Sequence, residues 1–385
     1  MPTLEDLAFD AERDIGATKA FFPILALLGD RWAATRPWTG RTLGLNLHLT
    51  PLTASLVQEL QLGGAQVAIS AANPGTTDPG TVELLRQAGV HVYTGGDLED
   101  RHKQVLSHQP HLIVDVGADL LRLALDRRDL APHVLAGVAM TLGAVHRLRE
   151  RSRLAFPVVN LSEGRLRDAV ENRYGLGEAV WEAVMRLTGM HLAGRRVAVV
   201  GYGAVGRGIA SWGRAAGLAV EIVETDPVRR LFAHYDGYPT PTLTDALTRV
   251  HLVVTATGSP RAIPAELLGS ARDRLVLLNA GTGGDEIDVA GIQRLAERVD
   301  HVASGVISYR MESGNHLIVL GDGHPLNIVV HAGSPEPVLL HFGLLGLVLE
   351  WLVAQRLPAG EHAVPADIEE TAARLALQAL AIPGT

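Results

Sequence analysis

The stretch VAVVGYGAVGRGIA, Val197 to Ala210, restricts the fold more than any other part of this chain. An apolar strand runs into Gly201, Gly203 and Gly206 at the spacing G-x-G-x-x-G, and a helical pattern follows at once. Gly201 suits a tight turn, Gly203 the close approach of a diphosphate to the backbone, and Gly206 the packing of helix against strand. Those three demands coincide at the end of the first strand of a βαβ unit, so the motif predicts a parallel sheet and a dinucleotide, with Ala204 and Val205 opening the helix at the phosphates. The next strand pattern ends at Glu224, where an acidic side chain accepts hydrogen bonds from ribose hydroxyls and repels a 2′-phosphate. NAD is the cofactor this predicts. Arg229 and Arg230, just downstream, read as a solvated helix face.

The same alternation of short apolar runs with helical periodicity occupies the rest of the chain. Before the glycine motif come TLGLNLHL (42 to 49), AQVAISA (65 to 71), VHVYT (90 to 94), HLIVDV (111 to 116) and FPVVN (156 to 160). After it come LAVEIVE (218 to 224), HLVVTATG (251 to 258), LVLLNAG (275 to 281) and a strand around 301 to 310. A chain of 385 residues exceeds what one core usually organises. The fold class expected is α/β: two doubly wound parallel-sheet domains, the second a Rossmann NAD-binding domain, with C-terminal helices returning to the first. The boundaries expected are 1–190 with 337–385 for a substrate-binding domain and 191–336 for the NAD domain.

A formal net charge of -8 leaves no electrostatic footprint for nucleic acid or an anionic membrane. The absence of cysteine removes disulfides, thiolate nucleophiles and cysteine zinc sites, and no metal is expected. The opening MPTLEDLAFDAERD lacks a basic n-region and an apolar h-region, which with the cysteine count suggests the cytoplasm. The apolar run near the C-terminus is broken by His341 and Glu350, so it reads as a buried or interfacial helix rather than a membrane span.

The segments GYGAVGRGIA, VEIVETDPVRR, HLVVTATGSPRAI and LVLLNAGTGGDEIDV together resemble the cofactor domain of the S-adenosyl-L-homocysteine hydrolase family. The resemblance extends upstream through LNLHLTPLTASLVQELQLGGAQV, NPGTTD and VDVGAD, and covers about Phe21 to Ile382. It implies Thr257, Gly258, Asn279, Gly281 and Asn327 as further cofactor residues. It also implies a redox-neutral reaction: NAD takes hydride from C3′ of a nucleoside, the ketone acidifies C4′–H, the 5′ substituent leaves, water adds, and the ketone is reduced again.

On the same resemblance the catalytic candidates are His48, Asp115, Arg167, Glu171 and Asn172, and the substrate-binding candidates are Thr50, Thr53, Asn73, Asp119 and Thr141. Departures from the family pattern lie in this half. Leu52 replaces a glutamate that contacts the adenine amino group, Val116 a catalytic aspartate, Met140 a glutamate that contacts the ribose, and Arg167 a lysine. Gly281-Thr282 and Gly333-Ser334-Pro335 each lack a family histidine. A guanidinium, with a pKa above about 12, cannot act as a base. Glu171 is therefore the expected proton acceptor and Arg167 a donor to substrate oxygens. The C-terminal sequence omits the family tail that reaches a neighbouring subunit, yet a homodimer or homotetramer through Val338 to Leu357 is expected. These departures point to a nucleoside substrate with a different leaving group, such as hydroxide, giving a 4′,5′-unsaturated nucleoside in natural-product biosynthesis. The alternatives are an orthodox S-adenosyl-L-homocysteine hydrolase and an inactive NAD-binding regulatory protein.

Overall fold

The computed structural model describes Gly16 and residues 20–381; the leader reading falls on residues outside these. The chain forms two compact units, a first containing the described residues up to Glu171 and from Pro335 onward, and a second of residues 172–334. Both are α/β, as expected.

The first unit contains the strands β1 (Thr42–Leu47), β2 (Gln66–Ala71), β3 (His91–Tyr93), β4 (Leu112–Asp115), β5 (Ala136–Ala139), β6 (Pro157–Asn160) and β14 (Gly360–Ala363). They form one seven-stranded sheet in the order β14-β6-β5-β4-β1-β2-β3, all parallel. Chain direction across the sheet reverses between β1 and β4, and the carboxyl ends flanking such a switch point form a binding crevice. Residues alternate between two cores, with Leu112 and Val114 on one face and Ile113 on the other, as a sheet covered on both sides requires.

The second unit repeats the plan. Its strands β7 (Arg196–Val200), β8 (Ala219–Val223), β9 (Leu252–Thr255), β10 (Leu275–Asn279), β11 (Ala296–Ala303), β12 (Val306–Met311) and β13 (His316–Leu320) take the order β11-β12-β13-β10-β9-β7-β8. β12 alone runs antiparallel to both neighbours. Val197 and Val199 enter one core, Ala198 and Val200 the other.

One expected boundary moves, three strands were not anticipated, and the apolar C-terminal helix finds its place. The helix Leu176–Thr188 belongs to the second unit, because Trp181 bonds the Ile209 carbonyl and Gly177 lies against Gly208; the first boundary is therefore at 171/172, not 190. Strands β5, β13 and β14 escaped the sequence reading. β5 is the short Ala-Gly-Val-Ala run, whose small residues carry little β signal. The helix Glu336–Ala354 is long and apolar enough to cross a membrane, with mean hydropathy 1.9, but 67% of that window is buried. It packs against the helices Ile24–Thr35, Pro51–Leu62 and Ala366–Ala379, and its Gly346 makes room for Trp32. Two thirds of its apolar window is thus used inside its own unit.

Candidate active site

At the crevice of the second unit, β7 ends in the glycine turn. Gly201 has φ +97°, and a Cβ there would stand 2.6 Å from the Ala256 carbonyl oxygen. A Cβ on Gly206 would stand 1.9 Å from the Gly201 carbonyl oxygen, so any side chain would push the helix Ala204–Ala215 off the strand. Gly203, the N-cap of that helix, faces open space, with Arg229 Nη1 nearest at 3.8 Å from a built Cβ. The turn is thus tight where it meets protein and open where a diphosphate would lie. Arg229, read from sequence as solvated, brings a cation to this turn; Arg230 instead bonds the Thr240 carbonyl.

Glu224 accepts the Tyr202 amide at 2.7 Å through Oε2 and the Thr225 and Asp226 amides through Oε1, which fixes its carboxylate beside the turn. Thr257 and Gly258 follow β9 and are both held by Glu286, which takes the Thr257 amide and hydroxyl and the Gly258 amide at 2.8 to 2.9 Å. Glu286 is 1% exposed and was passed over as a site residue, although it is the glutamate of the E-I-D run. Asn279 is buried and saturated: it donates to the Gly283 and Gly323 carbonyls and accepts from Thr255 and Gly281. These bonds shape the loop carrying Gly281. Asn327 differs, because its Oδ1 is buried without a partner. An open glycine cradle, a fixed acid and an orphaned amide oxygen all fit NAD.

In the first unit His48 leaves the end of β1. Its Nδ1 lies 2.6 Å from the Thr76 hydroxyl, whose own hydrogen goes to the Asn73 carbonyl at 3.0 Å. A hydroxyl has one hydrogen to give, so Nδ1 carries the proton and Nε2 is a free acceptor. Burial lowers the His48 pKa to about 4, which keeps the ring neutral. Thr53 supports this arrangement by donating to the His48 carbonyl at 2.6 Å, and Thr50 lies 3.4 Å from Thr53. Leu52 is half-buried against the core.

Asp115 ends β4, beside β1, but its carboxylate is taken up by the scaffold. Oδ1 accepts from Asn46 Nδ2 and the Gly117 amide at 2.8 Å, and Oδ2 from the Leu121 amide at 3.0 Å. Fully buried and tied to the start of the helix Asp119–Asp126, it is placed as a structural group rather than the catalytic one expected. Thr141 likewise caps the helix Leu142–Arg149 and donates to the Val116 carbonyl. Asn73 turns the NPGTTD loop by accepting the Gly75 amide, and Asp119 pairs with Arg147 at 3.2 Å. Val116 and Met140 are both buried apolar residues.

Residues Arg167–Gly175 wind as a π-helix, a form that is rare and concentrated at functional sites. Glu163, just before it, pairs with Arg149 at 2.6 Å. Arg167 Nε lies 3.6 Å from Glu171 Oε2, and Arg167 Nη1 lies 3.2 Å from Nε2 of His341. Burial raises the Glu171 pKa against the opposing charge of Arg167. Asn172, next in sequence, is buried in the second unit. His341 was noticed only as an interruption of an apolar helix, which was the available signal: a histidine there needs a partner.

The sequence model described as the NAD binding domain of S-adenosyl-L-homocysteine hydrolase matches residues 172–333, the second unit almost residue for residue. The chain is 35% identical to an S-inosyl-L-homocysteine hydrolase of Methanopyrus kandleri over 94% of this chain and 88% of the relative. It is 32% identical to an adenosylhomocysteinase of Pyrococcus abyssi over 98% of this chain and 92% of the relative. Among solved structures, a dipicolinate synthase subunit from Bacillus halodurans is similar in fold, with a TM-score of 0.50 at 13% identity, over 83% of this chain and 100% of that one. Sequence identity of this extent, over both units, makes the chain an NAD-binding member of the S-adenosyl-L-homocysteine hydrolase family.

Proposed function

We propose that this enzyme transiently oxidises C3′ of a nucleoside and expels its 5′ substituent as water, leaving a 4′,5′-unsaturated nucleoside. The observation that carries this reading is a contrast within the first unit. At the C3′ side a buried carboxylate is kept, Glu171 with Arg167 beside it. At the C5′ side the family aspartate is Val116, and neighbouring Asp115 is already engaged by Asn46, Gly117 and Leu121.

When bound, NAD supplies the reversible oxidation that makes the C4′ hydrogen acidic. Glu171, with its raised pKa, takes the proton of the 3′-hydroxyl; general-base assistance of this kind is worth about 10² to 10⁴ in rate. Arg167 remains a donor throughout and holds negative charge on oxygen. His48 Nε2 accepts the C4′ proton and returns it to the departing 5′ oxygen. One hydrogen from C4′ and one hydroxide from C5′ are lost, so the net change is loss of water with no net redox. Such a step suits nucleoside natural-product biosynthesis, in a cytoplasmic homodimer or homotetramer.

A second reading, hydrolysis of an S-nucleosyl-homocysteine whose base carries an oxygen where adenine carries its amino group, is favoured by Leu52. A leucine leaves no acceptor for an amino group at that position. Incubation of the purified protein with inosine, adenosine, S-inosyl-homocysteine and S-adenosyl-homocysteine, followed by mass spectrometry, separates the readings. A nucleoside product one water lighter is expected. Release of homocysteine without that product establishes hydrolysis and overturns dehydration.

A further inference from the structure

We propose that His341 is a positioning residue for Glu171, resting on the reading that Glu171 handles the 3′-hydroxyl proton: its Nδ1–H faces the Glu171 carboxylate and sets that group's orientation and basicity. The tautomer follows from Arg167. A guanidinium only donates, so with Arg167 Nη1 at 3.2 Å the His341 Nε2 must be an acceptor, and a neutral ring then carries its hydrogen on Nδ1. Burial first, and the charge of Arg167 second, hold His341 well below the usual imidazole range. Its Nδ1 lies 3.7 Å from Glu171 Oε2, just beyond hydrogen-bonding length; neither atom has a hydrogen-bond partner, and Oε2 is otherwise faced only by the ion-pair contact of Arg167 Nε at 3.6 Å.

A buried donor and a buried acceptor left open toward each other would be costly as pure scaffolding. Catalytic hydrogen bonds, by contrast, are often long before substrate binds and tighten afterwards. A shift of under about an ångström closes this one. Arg167 and His341 then hold Oε2 from two sides, leaving Oε1 as the oxygen that meets the substrate. The other charged groups on elements packed against the helix of His341 are otherwise placed: Arg31 pairs with Glu350, Arg165 with Glu369 and Arg374 with Glu370, Glu59 lies against Gly29, and Asp30 and Asp367 are exposed. Arg167 is the one charged neighbour that acts on both Glu171 and His341.

Nitrogen NMR of the full-length protein labelled with 15N-histidine reads the tautomer directly, the His341 signal being assigned by its loss in His341→Asn. The expected result is a neutral Nδ1–H ring throughout the neutral pH range, released from that state in Arg167→Met. An Nε2–H ring in the unsubstituted protein overturns the proposal. The second measurement follows reduction of the bound nicotinamide against pH on adding inosine. His341→Leu should slow it by about 10²-fold and move the pH midpoint upward, since ionised Glu171 loses a donor. His341→Asn, which restores an N–H near the position of Nδ1, should recover much of the rate. An unchanged midpoint in His341→Leu, or equal impairment of two folded variants that still bind NAD, overturns the positioning role. If inosine and adenosine both leave the nicotinamide oxidised in the unsubstituted protein, the proposed function fails, while the tautomer still decides the structural claim.

Discussion

The two units share a parallel-sheet switch point but not a strand order, and they leave different residues for chemistry. Each sheet has a switch point, between β1 and β4 or between β7 and β9, with loops at the carboxyl ends; the second sheet continues past β10 into β13, the antiparallel β12 and β11. In the second unit those loops are backbone devices: a positive-φ glycine, a helix N-terminus, and amides gathered by Glu224 and Glu286. In the first unit the matching loops carry His48, with an open Nε2, while Asp115 has been drawn into the scaffold. Recognition of a dinucleotide is written in main-chain geometry, which tolerates little change. Reaction chemistry is written in side chains, which can be exchanged without disturbing the strands.

The most disruptive test of this contrast is Gly206→Val. A side chain at 1.9 Å from the Gly201 carbonyl cannot be accommodated by rotamer change, and overpacking against backbone costs about 1–3 kcal/mol or more. Calorimetry should find no NAD binding, together with a lowered unfolding midpoint. Retained NAD affinity would mean that the glycine turn is not the cofactor cradle. Glu171→Gln should do the opposite: NAD affinity unchanged, and nicotinamide reduction by substrate slowed by about 10² to 10⁴. The amide keeps the shape of the side chain and removes the proton acceptor, so equal rates would assign the 3′-hydroxyl proton elsewhere.

This contrast also explains what could be read from sequence. The spacing of Gly201, Gly203 and Gly206, and Glu224 beyond them, encode geometry within one βαβ unit, so the cofactor half was legible. The first unit's cluster is assembled across the chain: Arg167 meets His341 174 residues later. No local pattern links a residue of a π-helix to a histidine inside an apolar helix. Asp115 was misread for a related reason. A carboxylate at a strand end reads as catalytic until the amides of Gly117 and Leu121 and the side chain of Asn46 are seen to consume it. Asn279 was drawn into the cofactor list in the same way, by position rather than by free hydrogen-bonding capacity.

The smallest expected effect concerns acid stability, and it too should divide the molecule. The first unit holds His48 and His102, both lowered by burial to about 4, and His341, which burial holds well below the usual imidazole range. For such a group the unfolded chain binds the proton first, so as pH falls from about 6.5 to about 4 the folded state loses stability; above that window the group is neutral in both states. His102, only 2% exposed, is the clean probe because it lies outside the proposed chemistry. His102→Asn removes that proton uptake. Relative to the unsubstituted protein it should gain up to about 3 kcal/mol between neutral pH and pH about 4, the free-energy equivalent of the shift. The raised carboxyls Asp115 and Glu171 act in the opposite sense but are common to both proteins and cancel in the difference; Asp119, on which the His102 charge acts directly, does not, so the comparison is repeated in an Asp119→Asn background. Replacing His251 in the second unit, also lowered by burial but less, should produce a smaller gain. Denaturant melts at a series of pH values measure both. Parallel stability curves for His102→Asn and the unsubstituted protein would mean that His102 is not held neutral, and the acid sensitivity assigned to the first unit would lose its best-buried source outside the site.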